Sequence, residues 1–88
     1  MDMMLASNIL GLTDSIRRFM KTQLRVVSTQ DVCEHVKNDA RLEILPEHEE
    51  RVYDRPRWQH SVRRIILQLV RNGEIKRIGR DQYILNIN

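Results

Sequence analysis

The chain holds a single cysteine, Cys33, among its 88 residues. No disulfide can form within it, and a reducing, cytoplasmic setting is expected. Glycine and proline are scarce, with three and two residues. No low-complexity tract, internal repeat or flexible linker is present, and no Gly-rich phosphate loop can be found. Aromatic residues make up only 5%, which disfavours a reader of single-stranded RNA, because such readers need stacking platforms. Long apolar runs are missing, so no segment reads as a membrane span. The opening Met1-Asp2-Met3-Met4 has an acid where a secretory signal needs a basic stretch, so export is not expected.

What is present is an ordinary globular balance, 41% hydrophobic and 31% charged, enough for one core and not for two. A single non-enzymatic binding domain spanning 1–88 is the expectation. The net charge of +3 conceals a segregation. Residues 29–54 carry eight acids against three bases. Residues 55–80 carry eight bases (Arg55, Arg57, Arg63, Arg64, Arg71, Lys76, Arg77 and Arg80) against the single acid Glu74. A block of that sign is a candidate footprint for a polyanion. The alternative is a solvated face neutralised by the acidic stretch.

Apolar periodicity gives the elements. Thr13 is placed to cap a first helix, with Ile16, Phe19, Met20 and Leu24 on one face. The stripe runs back through Leu12, Ile9 and Leu5, so a helical extension over 1–12 is expected, with Gly11 inside it. That extension could pack on the domain or on a second copy, as a homodimer contact. Arg25–Ser28 is short and β-branched and reads as a one-rung strand. Thr29 then caps a second helix, Gln30 to about Asn38, with Val32, Cys33 and Val36 inward. Residues 39–55 read as an irregular acidic connection, in which Pro46 with the following glutamates suits a short helix and His48 a surface position. Asp54-Arg55-Pro56 reads as a turn. Pro56 opens the best-defined helix, which runs to Asn72-Gly73 with Trp58, Val62, Ile65, Ile66 and Leu69 on one face. Two β-rich runs around Gly79-Arg80-Asp81-Gln82 then predict a hairpin over 74–86.

Helix, short strand, helix, connection, helix, hairpin is the order of an α+β winged helix-turn-helix, with the hairpin as wing. Away from the apolar stripe, the third helix presents Arg57, Gln59, His60, Ser61, Arg63, Arg64, Gln68 and Arg71. Such a helix fits the major groove of double-stranded DNA, where arginine can bond guanine and Ser, Gln and His can meet bases or phosphates. Lys76, Arg77 and Arg80 would set the wing on the backbone or in the minor groove. Leu67 sits among these polar residues without an evident DNA contact. Trp58 lies on the apolar stripe and reads as a core anchor, and Tyr83 as the closure of the wing.

The pattern Trp58-x3-Val62-Arg63-x3-Leu67-x-Leu69-x3-Gly73-x-Ile75-x3-Gly79-Arg80-x2-Tyr83-x-Leu85 resembles the winged-helix module of restriction endonucleases. It looks like the N-terminal domain of Mrr-type enzymes, and Val27-Ser28-Thr29-Gln30-Asp31-Val32 suits the same pattern. It is also similar to the winged helix of DpnI-type methyladenine-dependent enzymes, whose wing reads Gly-Arg-Gly-x-Tyr. Asp81 stands here in place of the second glycine. The resemblance implies sequence- or modification-aware binding of duplex DNA. It implies no nuclease activity in this chain, because the resemblance is to the DNA-binding module of those enzymes and not to their catalytic domain. A covalently linked nuclease domain and a free-standing small protein are both open. No cofactor is expected. Cys33, His35, His48 and His60 lack metal-site spacing, and Ser7, Ser15, Ser28 and Ser61 lie in no nucleophile elbow. The rival expectation is a winged helix used for protein contact, motivated by the acidic stretch and the Leu5–Phe19 stripe.

Overall fold

In a computed structural model, residues 9–87 are described. Three helices and a two-stranded antiparallel hairpin enclose one core. Helix α1 spans Leu12–Thr22, α2 spans Thr29–Lys37 and α3 spans Arg57–Arg71. Between α2 and α3 lie a 3₁₀ turn, Pro46–Glu49, and two short paired strands, β1 (Arg51–Val52) and β2 (Arg55–Pro56). The C-terminal hairpin consists of β3 (Ile75–Gly79) and β4 (Gln82–Leu85), antiparallel with Arg77 opposite Tyr83 and an irregularity between Arg77 and Gly79. Val27 makes the expected single rung, bridging to Tyr83 through two backbone hydrogen bonds of 2.8 and 2.9 Å.

The first helix departs from its expected bounds. Gly11, at φ 82°, is its N-cap and not an interior residue, and Thr13 lies inside the helix. A left-handed residue cannot continue a right-handed helix, so among the described residues the helix starts at Leu12. The expected contact of Leu5 with a second copy falls on residues 1–8, outside the described range. Leu24 lies beyond the helix end and is exposed. The second helix is capped one residue earlier than expected. The Ser28 hydroxyl accepts from the Asp31 amide (3.1 Å), and the Asp31 carboxylate accepts from the Ser28 amide (3.0 Å). This reciprocal capping box frees Thr29 to become the first helical residue.

Helix α3 ends as its sequence requires. Gly73 takes φ 79°, its amide donates to the Val70 carbonyl (3.0 Å), and the Glu74 amide donates to Leu69 (2.9 Å). That pair of bonds is a Schellman motif, and it aims the chain into β3. Trp58, Val62, Ile66 and Leu69 of α3 pack with Ile16, Phe19 and Met20 of α1, Val32 and Val36 of α2, and Ile75 and Tyr83 of the hairpin. The stripe that buries α3 on one side leaves its other side to solvent. The connection expected to be irregular is pinned to α3. The Trp58 indole N–H donates to Glu49 (3.0 Å), and His48 is buried, with its Nδ1 accepting from the Leu45 amide (2.9 Å). His48 is thus a turn-closing group, contrary to the surface position its glutamate neighbours suggested.

Candidate nucleic-acid interface

Of the eight bases between residues 55 and 80, two are matched by carboxylates. Arg57 pairs with Glu50, and Arg55 with Asp54 at 3.4 Å. Arg63, Arg64, Arg71, Lys76, Arg77 and Arg80 are exposed and have no carboxylate of the described residues within 4.0 Å. The other described arginines with carboxylate partners lie elsewhere. Arg17 is held bidentately by Glu74 (2.8 and 3.0 Å), Arg25 faces Asp31, and Arg41 faces Asp39. Arg17 has its pKa raised and Glu74 its pKa lowered, each chiefly by their shared hydrogen bonds. Arg18, Lys21, Lys37 and Arg51 are likewise exposed with no carboxylate of the described residues within 4.0 Å, so six of the ten unmatched bases lie on α3 and the hairpin.

The helical period places Arg63, Arg64 and Arg71 on one solvent-facing arc, with Leu67 between them at 42% exposure. The hairpin register then joins this arc to β3 and the hairpin turn. Arg77 lies on the face of β3 that carries Ile75, opposite Tyr83, and so points toward α3. Arg63, Arg77 and Arg80 meet Arg55, Thr29, Asp81 and Tyr83 around one cleft of about 310 Å³. Four arginines, from α3, β2, β3 and the hairpin turn, thus line it together with Asp81. Arginine forks present paired donors to phosphate oxygens, and a concave wall raises the local potential.

Other expected contacts lie elsewhere. Ser61 is buried, 8% exposed, because its edge of α3 is covered in the folded chain, and it presents no hydroxyl to a ligand at the surface. Arg57 is turned to Glu50, and the His60 Nε2–H donates to the Val52 carbonyl (2.9 Å). These two fasten the β1–β2 segment to the first turns of α3. Gln59 is partly buried and lines a second groove between α2 and α3 with Cys33, Glu34 and Lys37. Gln68 is exposed and donates to Asn72 Oδ1 (3.1 Å). Lys76 alternates to the opposite face of β3 from Arg77 and stays outside the cleft.

The hairpin turn is not free. Asp81, at φ 54°, accepts a hydrogen bond from the Thr29 amide (3.0 Å) and another from its hydroxyl. The first amide of α2 lacks a partner within its helix, and the hairpin turn supplies it. Aspartate tolerates the left-handed conformation better than most residues do, and it adds a latch that glycine could not. Sequence reasoning also missed Tyr53, which stands at the β1–β2 turn with 95% exposure and φ 62°.

A serine, a histidine and an aspartate meet between α1 and α2. The Ser15 hydroxyl donates to Asp39 Oδ2 (2.6 Å), and His35 Nε2 lies 3.1 Å from the same Ser15 oxygen. Ser15 has no solvent exposure, and its proton is committed to the carboxylate, so no substrate can reach a nucleophile there. His35 stacks on Phe19 with ring centroids 4.6 Å apart, as a packing residue. Burial pushes the Cys33 thiol up to about 11, away from thiolate chemistry. Among the described residues, no three His, Cys, Asp or Glu side chains are grouped to hold a metal ion, and no helix is long and apolar enough to cross a membrane. A more apolar groove of about 480 Å³ lies between α1 and Leu85–Ile87, edged by the neutralised Arg17–Glu74 pair. No protein-family profile, curated protein or solved structure matches the chain.

Proposed function

We propose that this chain is a winged-helix domain that binds double-stranded DNA, with α3 in the major groove and the β3–β4 wing on the adjacent backbone. The observation that carries this reading is the single surface of unmatched arginines, in which Arg63 belongs both to the exposed arc of α3 and to the cleft shared with Arg77 and Arg80. The reading set is narrower than the sequence suggests. Arg64 and Arg71 face the groove, Arg63, Arg77 and Arg80 hold phosphates, and Arg57, His60 and Ser61 are engaged in the fold. Such a domain serves as the recognition part of a restriction-type endonuclease, through a covalently linked nuclease domain, or as a small DNA-binding protein. Pairing of two copies would raise affinity through effective concentration.

Titration of a labelled duplex tests the reading. With about five phosphates neutralised, the log–log salt slope is near −4 to −5, so affinity falls a few hundredfold between 50 and 200 mM salt. Arg64→Glu and Arg80→Glu each weaken binding about tenfold or more, and Arg18→Glu changes it little. Equal losses from all three would replace a defined face by non-specific attraction. Absence of binding to any duplex at low salt would overturn the reading in favour of protein contact.

A further inference from the structure

The β1–β2 turn is too short to hold itself, since it has two residue pairs, Arg51 with Pro56 and Val52 with Arg55. It is held from outside instead. The Arg57 amide donates to the Glu50 carbonyl (2.8 Å), His60 donates to the Val52 carbonyl (2.9 Å), and the Arg51 guanidinium closes the turn on the Asp54 carbonyl (2.6 Å). Two of these anchors belong to the first turns of α3. The turn is a pedestal fixed to the same helix that carries the arginine arc. Its tip is Tyr53, 95% exposed, with φ 62°. That backbone conformation is disfavoured for a bulky side chain and is ordinarily given to Gly, Asn or Asp. An aromatic ring held outward in it contributes nothing to the core, and strain of this kind gathers at functional positions.

The surroundings decide what the ring meets. Val52 and Pro56 are partly buried, so Tyr53 has no contiguous apolar patch around it for a protein partner. The acids nearby are engaged: Glu50 by Arg57, Asp54 by Arg55, and Glu49 by the Trp58 N–H. A lone ring on a rigid support, anchored to the helix that carries the unmatched arginines, suits a nucleobase face.

We propose that Tyr53 is a base-stacking residue, which meets an unpaired or extruded base at the end of the duplex tract held by α3. The inference rests on the DNA-binding reading above. The test compares a fully paired duplex with the same duplex carrying one unpaired adenine, replaced by fluorescent 2-aminopurine. The wild-type chain binds the bulged duplex about tenfold more tightly and quenches the probe, as expected when a ring stacks on a base. Tyr53→Ala abolishes both the preference and the quenching, with less than a twofold change on paired DNA, and Tyr53→Phe restores them. Both variants keep the wild-type melting temperature, because the ring is outside the core. Wild-type binding to paired DNA without a preference, or a preference that Tyr53→Ala leaves intact, overturns the role of Tyr53 alone. Failure of the wild-type chain to bind either duplex overturns the DNA-binding reading with it.

Discussion

Asp39 shows how much one side chain can organise. Its carboxylate is 4% exposed and accepts from the Ser15 hydroxyl at 2.6 Å, with Arg41 on its outer side and His35 at 3.8 Å. The Ser15 hydroxyl first, then Arg41, hold its pKa well below the usual carboxylate range. A folded pKa below the unfolded one means the unfolded state binds the proton more readily. The contribution of Asp39 is therefore full above the ordinary value near about 4 and is lost as pH falls below it. Thermal melts from pH 7 to pH 2 will show a loss in the acid limb that is smaller in Asp39→Asn, whose melting temperature is already lower at neutral pH. Parallel acid limbs in the two proteins would contradict the assignment. Ser15→Ala acts on the same contact by leaving a buried carboxylate oxygen short of a donor, at a cost of about 1–3 kcal/mol.

At the scale of elements, the β3–β4 hairpin is held at both ends. At its base, the Schellman turn at Gly73 sets the angle between α3 and β3. Gly73→Ala forces a β-carbon into a left-handed position, and although nothing crowds the site, it should cost about 1 kcal/mol. At its tip, Asp81 caps α2. Asp81→Ala removes that cap, with an expected cost of about 1 kcal/mol and faster hydrogen exchange at the Thr29 amide and in the β3–β4 turn. Exchange at Val62 and Ile66 should stay unchanged, and a uniform acceleration would mean that the latch supports the whole core and not the hairpin alone.

The elements also mark where sequence was informative. Helix α3 and the hairpin were legible because fifteen helical residues repeat a clear apolar period and end in Asn72-Gly73, a strong stop signal. The single rung at Val27 was legible from a short β-branched run. The β1–β2 turn was not, because two-residue strands carry no periodicity, and nothing in Val52-Tyr53-Asp54 announces a left-handed tyrosine. Helix α1 misled because its apolar stripe continues through Gly11, and periodicity does not record a reversal of φ. For the site, the cationic character of α3 and the hairpin was legible from charge counts. Which arginines remain unmatched was not, because Arg57 and Glu50 meet only once the connection folds back on α3. Ser61 lies at the border of the apolar stripe, where neighbours in the fold and not its own periodicity decide burial.

For the whole molecule, unmatched positive charge is densest on α3 and the hairpin. Arg17, Arg25 and Arg41 are matched by Glu74, Asp31 and Asp39, while Arg63, Arg64, Arg71, Lys76, Arg77 and Arg80 have no carboxylate of the described residues within 4.0 Å. The core that holds this arrangement is small. Ile66, 1% exposed, joins α3 to the other elements, and Ile66→Ala should cost about 2–5 kcal/mol, a large part of the stability of a domain this size. Circular dichroism melts would check it, and a loss below about 1 kcal/mol would mean that the stripe is not the centre of the core.

The most direct test is a residue-resolved map of the surface that duplex DNA touches, by NMR titration of the isotopically labelled chain with a short duplex at low salt. The account predicts shifts confined to Arg63, Arg64, Leu67 and Arg71 of α3 and to Arg77 and Arg80 of the hairpin, with Arg17, Arg25 and Arg41 unmoved. Shifts centred on the groove between α1 and Leu85–Ile87, or none at all, would contradict it.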